Sequence, residues 1–249
     1  MAPRFHAPGT YTSGDLVALP DDEAQHLTRV LRLRPGDPLR VFNGAGAEFD
    51  ASVDQVSRTG VHVRIGAAGT PAPEPRVAVT LVQAVLKGDK MDDVVRDAVM
   101  LGVAVIQPIV SRRCEVTPVS LQRGRRRERW TRVAVSSAKQ CGRAVVPAIR
   151  EIERFEALPE ALVSLRVPSP AFVLVEPSAA AGATGLRDLD TAPPREASIV
   201  IGPEGGWDPA ELEQVSRACH FVTLGGRTLR ADAMPLVALS ALFTHWKEF

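Results

Sequence analysis

Cysteine is scarce in this chain, and its spacing excludes two common uses. Only three of 249 residues are cysteine, Cys114, Cys141 and Cys219, and no Cys-x-x-Cys occurs. Disulfide frameworks and thiolate metal sites need paired or clustered cysteines, so buried or indifferent thiols in a reducing compartment are expected. The five histidines form no ligand pair, and no metal is expected. No apolar run approaches the length of a membrane span, and the opening Met-Ala-Pro-Arg-Phe-His lacks the apolar stretch of a secretory leader. A cytoplasmic protein without membrane contact is the expectation. Two phosphate-binding fingerprints are also missing: no Gly-x-Gly-x-x-Gly follows the first α/β strand, and no Gly-x-x-x-x-Gly-Lys-Ser/Thr occurs anywhere.

What is present reads as a globular protein. Apolar residues make up 45% and charged residues 24%, and the length suffices for one large domain or two smaller ones. The net charge of +1 hides an uneven distribution. Residues 76–155 carry sixteen basic and eight acidic side chains, concentrated in Arg123, Arg125, Arg126, Arg127, Arg129 and Arg132. Such a cluster fits either a solvated helix face or a surface that meets a phosphate backbone.

Two rhythms divide the chain. In residues 1–70, Leu39–Phe42, Glu48–Val53 and Val61–Ile65 alternate apolar and polar residues, separated by Pro35-Gly-Asp37, Asn43-Gly-Ala-Gly46 and Thr59-Gly60. This predicts a small β-barrel, with one helix over Asp22–Leu31 whose face carries Ala24, Leu27, Val30 and Leu31. A Gly/Ala/Pro stretch follows, and residues 71–76 are expected to be a linker. Residues 77–249 then alternate strand and helix. Val77–Val85, Val103–Val110, Ala171–Val175, Ser198–Ile201 and Phe221–Leu224 read as buried parallel strands. Helices are expected over Met91–Leu101, over about Gln122–Gln140, and after Pro235. Asp208-Pro-Ala-Glu211 is a capping box with proline at the first helical position.

Two Gly-rich turns carry the chemistry: Ile201-Gly-Pro-Glu-Gly-Gly-Trp207 and Leu224-Gly-Gly-Arg-Thr-Leu-Arg-Ala-Asp232. Each follows an apolar strand and precedes a helix, the place where an open α/β sheet binds its ligand. Glu204 stands where a phosphate would sit and would repel it. A ligand with a cationic or hydrogen-bond-donating part suits this turn, and S-adenosylmethionine meets that requirement.

These turns, Ile201-Gly-Pro-Glu-Gly-Gly206 and Leu224-Gly-x-Arg-x-Leu-Arg230, resemble the SPOUT methyltransferases, in particular the bacterial 16S ribosomal RNA uridine-N3 methyltransferase family. Val30-Leu-Arg-Leu-Arg-Pro-Gly-Asp37, Lys87-Gly-Asp-Lys-Met91, Leu101-Gly-Val103, Ala138-Lys-Gln-Cys-Gly-Arg143 and Val146-Pro147 match in order, so the likeness spans nearly the whole chain. The resemblance implies an α/β fold in which a PUA-like RNA-binding barrel precedes a trefoil-knotted parallel-sheet domain. It implies a homodimer that acts on 16S ribosomal RNA of the small subunit, with S-adenosylmethionine as methyl donor. Donor contacts are expected from Val175, Glu176, Ile201, Gly202, Pro203, Glu204, Gly205, Gly206, Leu224, Gly225, Arg227, Thr228, Leu229 and Arg230. Arg230, Glu204 and Asp232 are the expected catalytic groups, with Arg230 stabilising a uridine anion or pairing with Glu204 or Asp232. RNA contacts are expected from Arg4, Arg29, Arg32, Lys87, Lys90, Arg112, Arg113, Gln140 and Arg143, with Gln140 and Arg143 on one helical face.

Some positions depart from the family pattern. Met100 replaces a glutamate and Asp97 a lysine, while Asp232-Ala233 stands where Glu-Thr is usual. Met100 is expected to pack. Asp232 shortens the carboxylate's reach, and Ala233 removes a hydroxyl near the turn. Two other readings therefore stand beside the enzyme: a non-catalytic RNA-binding or ribosome-assembly factor, and a SPOUT enzyme that modifies another RNA position.

Overall fold

The computed structural model describes residues 2–116, 125–158, 169–177, 182–189 and 192–249. Two compact units form, Met1–Glu74 with Val135–Val146 and Pro75–Ala134 with Pro147–Phe249.

In the first unit the period-two segments pair as strands. They are β1 (Arg4–His6), β2 (Leu16–Ala18), β3 (Pro38–Phe42), β4 (Glu48–Ser57) and β5 (Gly60–Ala68), in the order β1-β3-β4-β5-β2. β1 runs parallel to β3, and the other pairs are antiparallel. Alternation in β5 buries Val61, Val63 and Ile65, which join Phe5, Leu27, Leu39 and Val41 in one core. Burial of such side chains contributes roughly 1.5–3 kcal/mol each. The helix expected over Asp22–Leu31 differs in form. After α1 (Asp21–Gln25), residues His26–Leu31 make a π-helical turn in which the Arg32 amide bonds Leu27 O. A bond spanning five residues widens the turn and removes its end from a 3.6-residue face. Ala24 and Leu27 stay buried, whereas Val30 and Leu31 are exposed.

The second unit follows the strand–helix rhythm. Its elements are β6 (Ala78–Ala84), α2 (Lys90–Leu101), β7 (Val105–Val110), β8 (Ala148–Ile149), β9 (Glu153–Arg154), β10 (Ala171–Leu174), β11 (Thr184–Gly185), β12 (Glu196–Ile201), α4 (Pro209–Val215), β13 (His220–Thr223) and α5 (Met234–His245). Helix α3 (Arg126–Cys141) contributes residues to both units; the expected residues Gln122–Gly124 before it lie outside those described. The sheet order is β11-β13-β10-β12-β6-β7-β8, with β9 also on β7, and every pair is parallel. β10 and all but the first residue of β12 are buried, as continuous apolar runs require when a sheet is covered on both faces.

Helix α2 buries Met91, Val94, Val95, Ala98 and Val99. Met100 does not pack as expected. It is 41% exposed, because it lies off the stripe these residues form. Asp97 accepts a hydrogen bond from Arg96 Nε at 2.9 Å. Gly102 ends the helix in the left-handed region at φ 101°, and a Cβ there would lie 2.4 Å from Pro75 Cγ. Gly102→Ala is expected to lose about 1–3 kcal/mol of stability, read from the midpoint of urea denaturation at unchanged m.

Candidate ligand cavity at the strand ends

β10 lies between β12 and β13, so the C-terminal ends of three neighbouring parallel strands reach one edge of the sheet. The segments that follow these ends line a cavity of about 460 Å³. Leu174, Val175 and Glu176 come from the end of β10, Ile201–Trp207 from the end of β12, and Thr228–Asp232 with Met234 from the turn before α5. Lys90 from the start of α2 and Arg113 from beyond β7 complete the lining.

Local chemistry holds the first Gly-rich turn. The expected capping box is present: Asp208 accepts from the Ala210 amide, and Glu211 accepts from the Asp208 amide. Glu211 is buried and also accepts from the Arg112 amide at 2.8 Å, which ties this helix start to the segment after β7. Trp207 donates from Nε1 to Leu174 O at 2.9 Å and stacks at a tilt on Phe155. Its ring lies so close to Gly202 that a Cβ there would come within 3.0 Å of Cε2. The indole therefore links the ends of β10 and β12.

Charge inside the cavity is balanced and arranged. Three carboxylates, Glu176, Glu204 and Asp232, face three cations, Lys90, Arg113 and Arg230. Glu204 Oε1 accepts from Lys90 Nζ at 2.9 Å and from the Lys87 amide at 3.2 Å, while its Oε2 is buried without a partner. Burial pushes this carboxyl up, but the Lys90 ammonium and the amides of Glu204 and Lys87 outweigh it and hold the group below its ordinary value. Asp232 Oδ1 lies 3.3 Å from Arg230 Nε. A modest burial penalty on Asp232 is overcome by its own amide, by Arg230 and by Lys90, so it too stays below the usual carboxylate range. The Arg230 side chain is 76% exposed.

Of the residues expected at the donor site, the structure brings together Val175, Glu176, Ile201, Gly202, Pro203, Glu204, Gly205, Gly206, Thr228, Leu229 and Arg230, with Asp232 beside them. Leu224 and Gly225 line a different cavity of about 770 Å³, with Gly185, Leu186 and His245. Arg227 is exposed and lines neither. Leu174, Trp207, Ala231 and Met234 belong to the lining and were not expected. Trp207 had a signal, since it directly precedes the capping box; Met234 had none.

The expected RNA contacts divide. Arg4 is corrected: its guanidinium pairs with Glu48, donates to the carbonyls of Ala138, Lys139 and Arg143, and lies over the Phe42 ring. Every direction is occupied, so Arg4 is a structural residue. Arg143 is corrected likewise, being 4% exposed and held by both oxygens of Glu74. It also lies beyond the end of α3 at Cys141, so it shares no helical face with Gln140. Lys90 turns into the cavity instead of toward a phosphate. Lys87 pairs with Glu115 at 2.9 Å, and Arg112 and Arg113 flank Asp208 at 3.5 and 3.9 Å, all with exposed side chains. Arg29, Arg32 and Gln140 are exposed. In the arginine cluster, Arg127 pairs with Glu151, and Arg129 with Asp89 and Asp92; Arg123 lies outside the described residues.

Comparison with known proteins bears on this geometry. Residues 73–243 match the family described as an RNA methyltransferase domain, and residues 19–66 match an RNA methyltransferase PUA domain. A ribosomal RNA small subunit methyltransferase E from Neisseria gonorrhoeae, solved bound to S-adenosyl methionine, is 32% identical with a TM-score of 0.87, over 99% of this chain and 98% of that one. A protein from Legionella pneumophila, solved with bound cofactor SAM, is 29% identical with a TM-score of 0.88, over 98% of each chain. The ribosomal RNA small subunit methyltransferase E of Bacillus subtilis (strain 168) is 28% identical over 225 residues, 89% of this chain and 87% of that protein. With both family matches in order along the chain and a relative of that identity covering nearly all of it, this chain belongs to the RNA methyltransferase family that includes ribosomal RNA small subunit methyltransferase E.

Proposed function

We propose that this protein transfers the methyl group of S-adenosylmethionine to N3 of a uridine in 16S ribosomal RNA of the small subunit. The observation that carries this reading is the meeting of the first Gly-rich turn with Thr228–Asp232, the later part of the second, in one cavity at the strand ends. The cavity suits the donor in size and chemistry. Its volume lies in the range of small-molecule sites. Leu174, Val175, Leu229 and Met234 offer apolar surface for an adenine, and the carboxylates of Glu176 and Glu204 suit a cationic or N–H-bearing part. When bound, the donor supplies an electrophilic methyl group on a sulfonium.

The chain's own residues then have three tasks. Uridine N3 is protonated at neutral pH and becomes a nucleophile only as that proton passes to water and charge spreads onto the flanking oxygens; the methyl then moves from sulfur to N3, leaving a neutral thioether. Arg230, with Nε on Asp232 and a largely exposed side chain, is the group we assign to those oxygens. Glu204 and Asp232 are held ionised, which suits binding and orientation better than proton abstraction. The turns align methyl and nitrogen, an effect able to supply several kcal/mol of barrier reduction. Arg29, Arg32, Lys87, Arg112, Arg113 and Gln140 remain our candidates for RNA contact, and a target base must be single-stranded or flipped to reach the cavity.

The reading includes a homodimer in the cytoplasm, a trefoil knot in the path of the second domain, and domain bounds of 1–70, 71–76 and 77–249. Support for the dimer comes from α5, a helix apolar around its circumference that leaves Leu236 and Val237 each 40% exposed. Among the described residues, no helix is long and apolar enough to cross a membrane. Asp232 still reaches Arg230 despite its shorter side chain, which favours the enzyme over a non-catalytic relic.

Incubation with labelled S-adenosylmethionine and small subunits lacking the modification is expected to yield 3-methyluridine on nucleoside analysis. Arg230→Ala is expected to lower kcat by about 100-fold or more while donor affinity changes little. Glutamate at both Leu236 and Val237 is expected to convert a dimer into a monomer in sedimentation velocity; a wild-type monomer would exclude the dimer.

A further inference from the structure

Lys90, read from the sequence as an RNA phosphate contact, lines the ligand cavity and is committed to a carboxylate there. Its Nζ meets Glu204 Oε1 at 2.9 Å, and the Lys87 amide, three residues earlier, meets the same oxygen at 3.2 Å. The stretch leading into α2, from Lys87 to Lys90, therefore grips the first Gly-rich turn twice. Across the cavity, Arg230 has taken Asp232 as its partner at 3.3 Å, although Glu204 lines the same space. Arg230 is long, flexible and largely exposed. With Lys90 gone, Glu204 would keep a mostly buried carboxylate without its bonded cation, in a cavity that Arg230 also lines.

We propose that Lys90 is a positioning residue for methyl transfer: by holding Glu204 Oε1 against the start of α2 it fixes the first Gly-rich turn at the cavity wall and leaves Arg230 on Asp232. This rests on the reading that the cavity holds the methyl donor and the target uridine. A stability role explains the pair less well. Side-chain exposures of 33% for Lys90 and 20% for Glu204 allow solvent to screen it, and such pairs contribute little to folding. A phosphate contact explains it less well too, since a cation already engaged by a carboxylate is a weakened partner for RNA.

Around Glu204 stand Lys90 at the start of α2, the Lys87 amide and ammonium from the segment before it, Arg113 and Cys114 from beyond β7, Glu176 from the end of β10, and Arg230 and Asp232 from the turn before α5. Of these, Lys90 is the one whose side chain bonds the carboxylate among the described residues. Removing it leaves burial unopposed by a bonded ammonium, so Glu204 should take up its proton at a higher pH. Activity that needs this carboxylate ionised would then fail earlier as the pH falls.

The test compares the full-length wild type with Lys90→Met and Lys90→Arg, using labelled S-adenosylmethionine and unmodified small subunits across pH and salt. We expect Lys90→Met to lower kcat by about tenfold or more, with KM for the subunit within about twofold of wild type. The acid limb of its kcat profile should move to higher pH, and Lys90→Arg should restore most of both. If Lys90→Met melts without cooperativity, Lys90→Gln takes its place in the same assays. Unchanged kcat and an unmoved acid limb would overturn the proposal. So would an effect confined to RNA binding, with the salt slope reduced by about one, which would mark a phosphate contact. A wild type that neither binds the donor nor transfers methyl would instead overturn the methyltransferase reading, and this inference with it.

Discussion

Hydrogen bonding of β10 on both of its edges, to β12 and to β13, is the constraint on which the cavity depends. Val173 stands in register with Val200 on one side and Phe221 on the other. Because all three strands are parallel, their ends arrive at the same edge of the sheet, and the chain must turn there three times in adjacent positions. Strands of only four to six residues, almost wholly buried in β10 and β12, cannot slide without exposing their apolar side chains. The turns inherit that rigidity. A site carried on rigid strand ends holds its polar groups in place before a ligand arrives.

A division of labour among charges follows. The strands that frame the cavity present apolar side chains, and the turns after them carry Glu176, Glu204, Arg230 and Asp232. Equal numbers of cations and carboxylates line the space, so its preference for a ligand comes from arrangement and not from net charge. Elsewhere, charges that look alike in sequence serve the fold. In the first unit Arg4 and Glu48 form a nearly solvent-free pair whose remaining guanidinium hydrogens are taken up by backbone carbonyls, as a buried ion pair requires. Lys139 meets Glu23 there at 2.6 Å.

The basic central stretch shows the same economy. A cluster from Arg125 to Arg132 suggests a field facing nucleic acid, yet Arg127 and Arg129 are answered by Glu151, Asp89 and Asp92. The exposed cations that stay uncommitted are fewer than the composition suggests. What a run of arginines does depends on acids brought near it from tens of residues away.

Features governed by neighbours in sequence were legible from the residues alone. The alternation of β5, the buried runs of β10 and β12, and the capping box at Asp208 and Glu211 each depend on spacings of two to four residues. The two Gly-rich turns were legible for the same reason, as was the family likeness they carry. Other features depend on partners that only folding supplies. Arg4 and Arg143 could not be told from surface cations, because Arg4's carbonyl partners lie 134 to 139 residues away and Glu74 lies 69 from Arg143. The π-helical turn that exposes Val30 and Leu31 was hidden because a five-residue hydrogen bond leaves no mark on a 3.6-residue pattern. Lys90 looked like a phosphate ligand until the chain brought Glu204, 114 residues later, to its ammonium. Sequence determined which segments form strands, turns and caps, since those follow from local spacing; tertiary structure decided which charges are free to act, since a charge is spent or kept by whatever the fold places beside it.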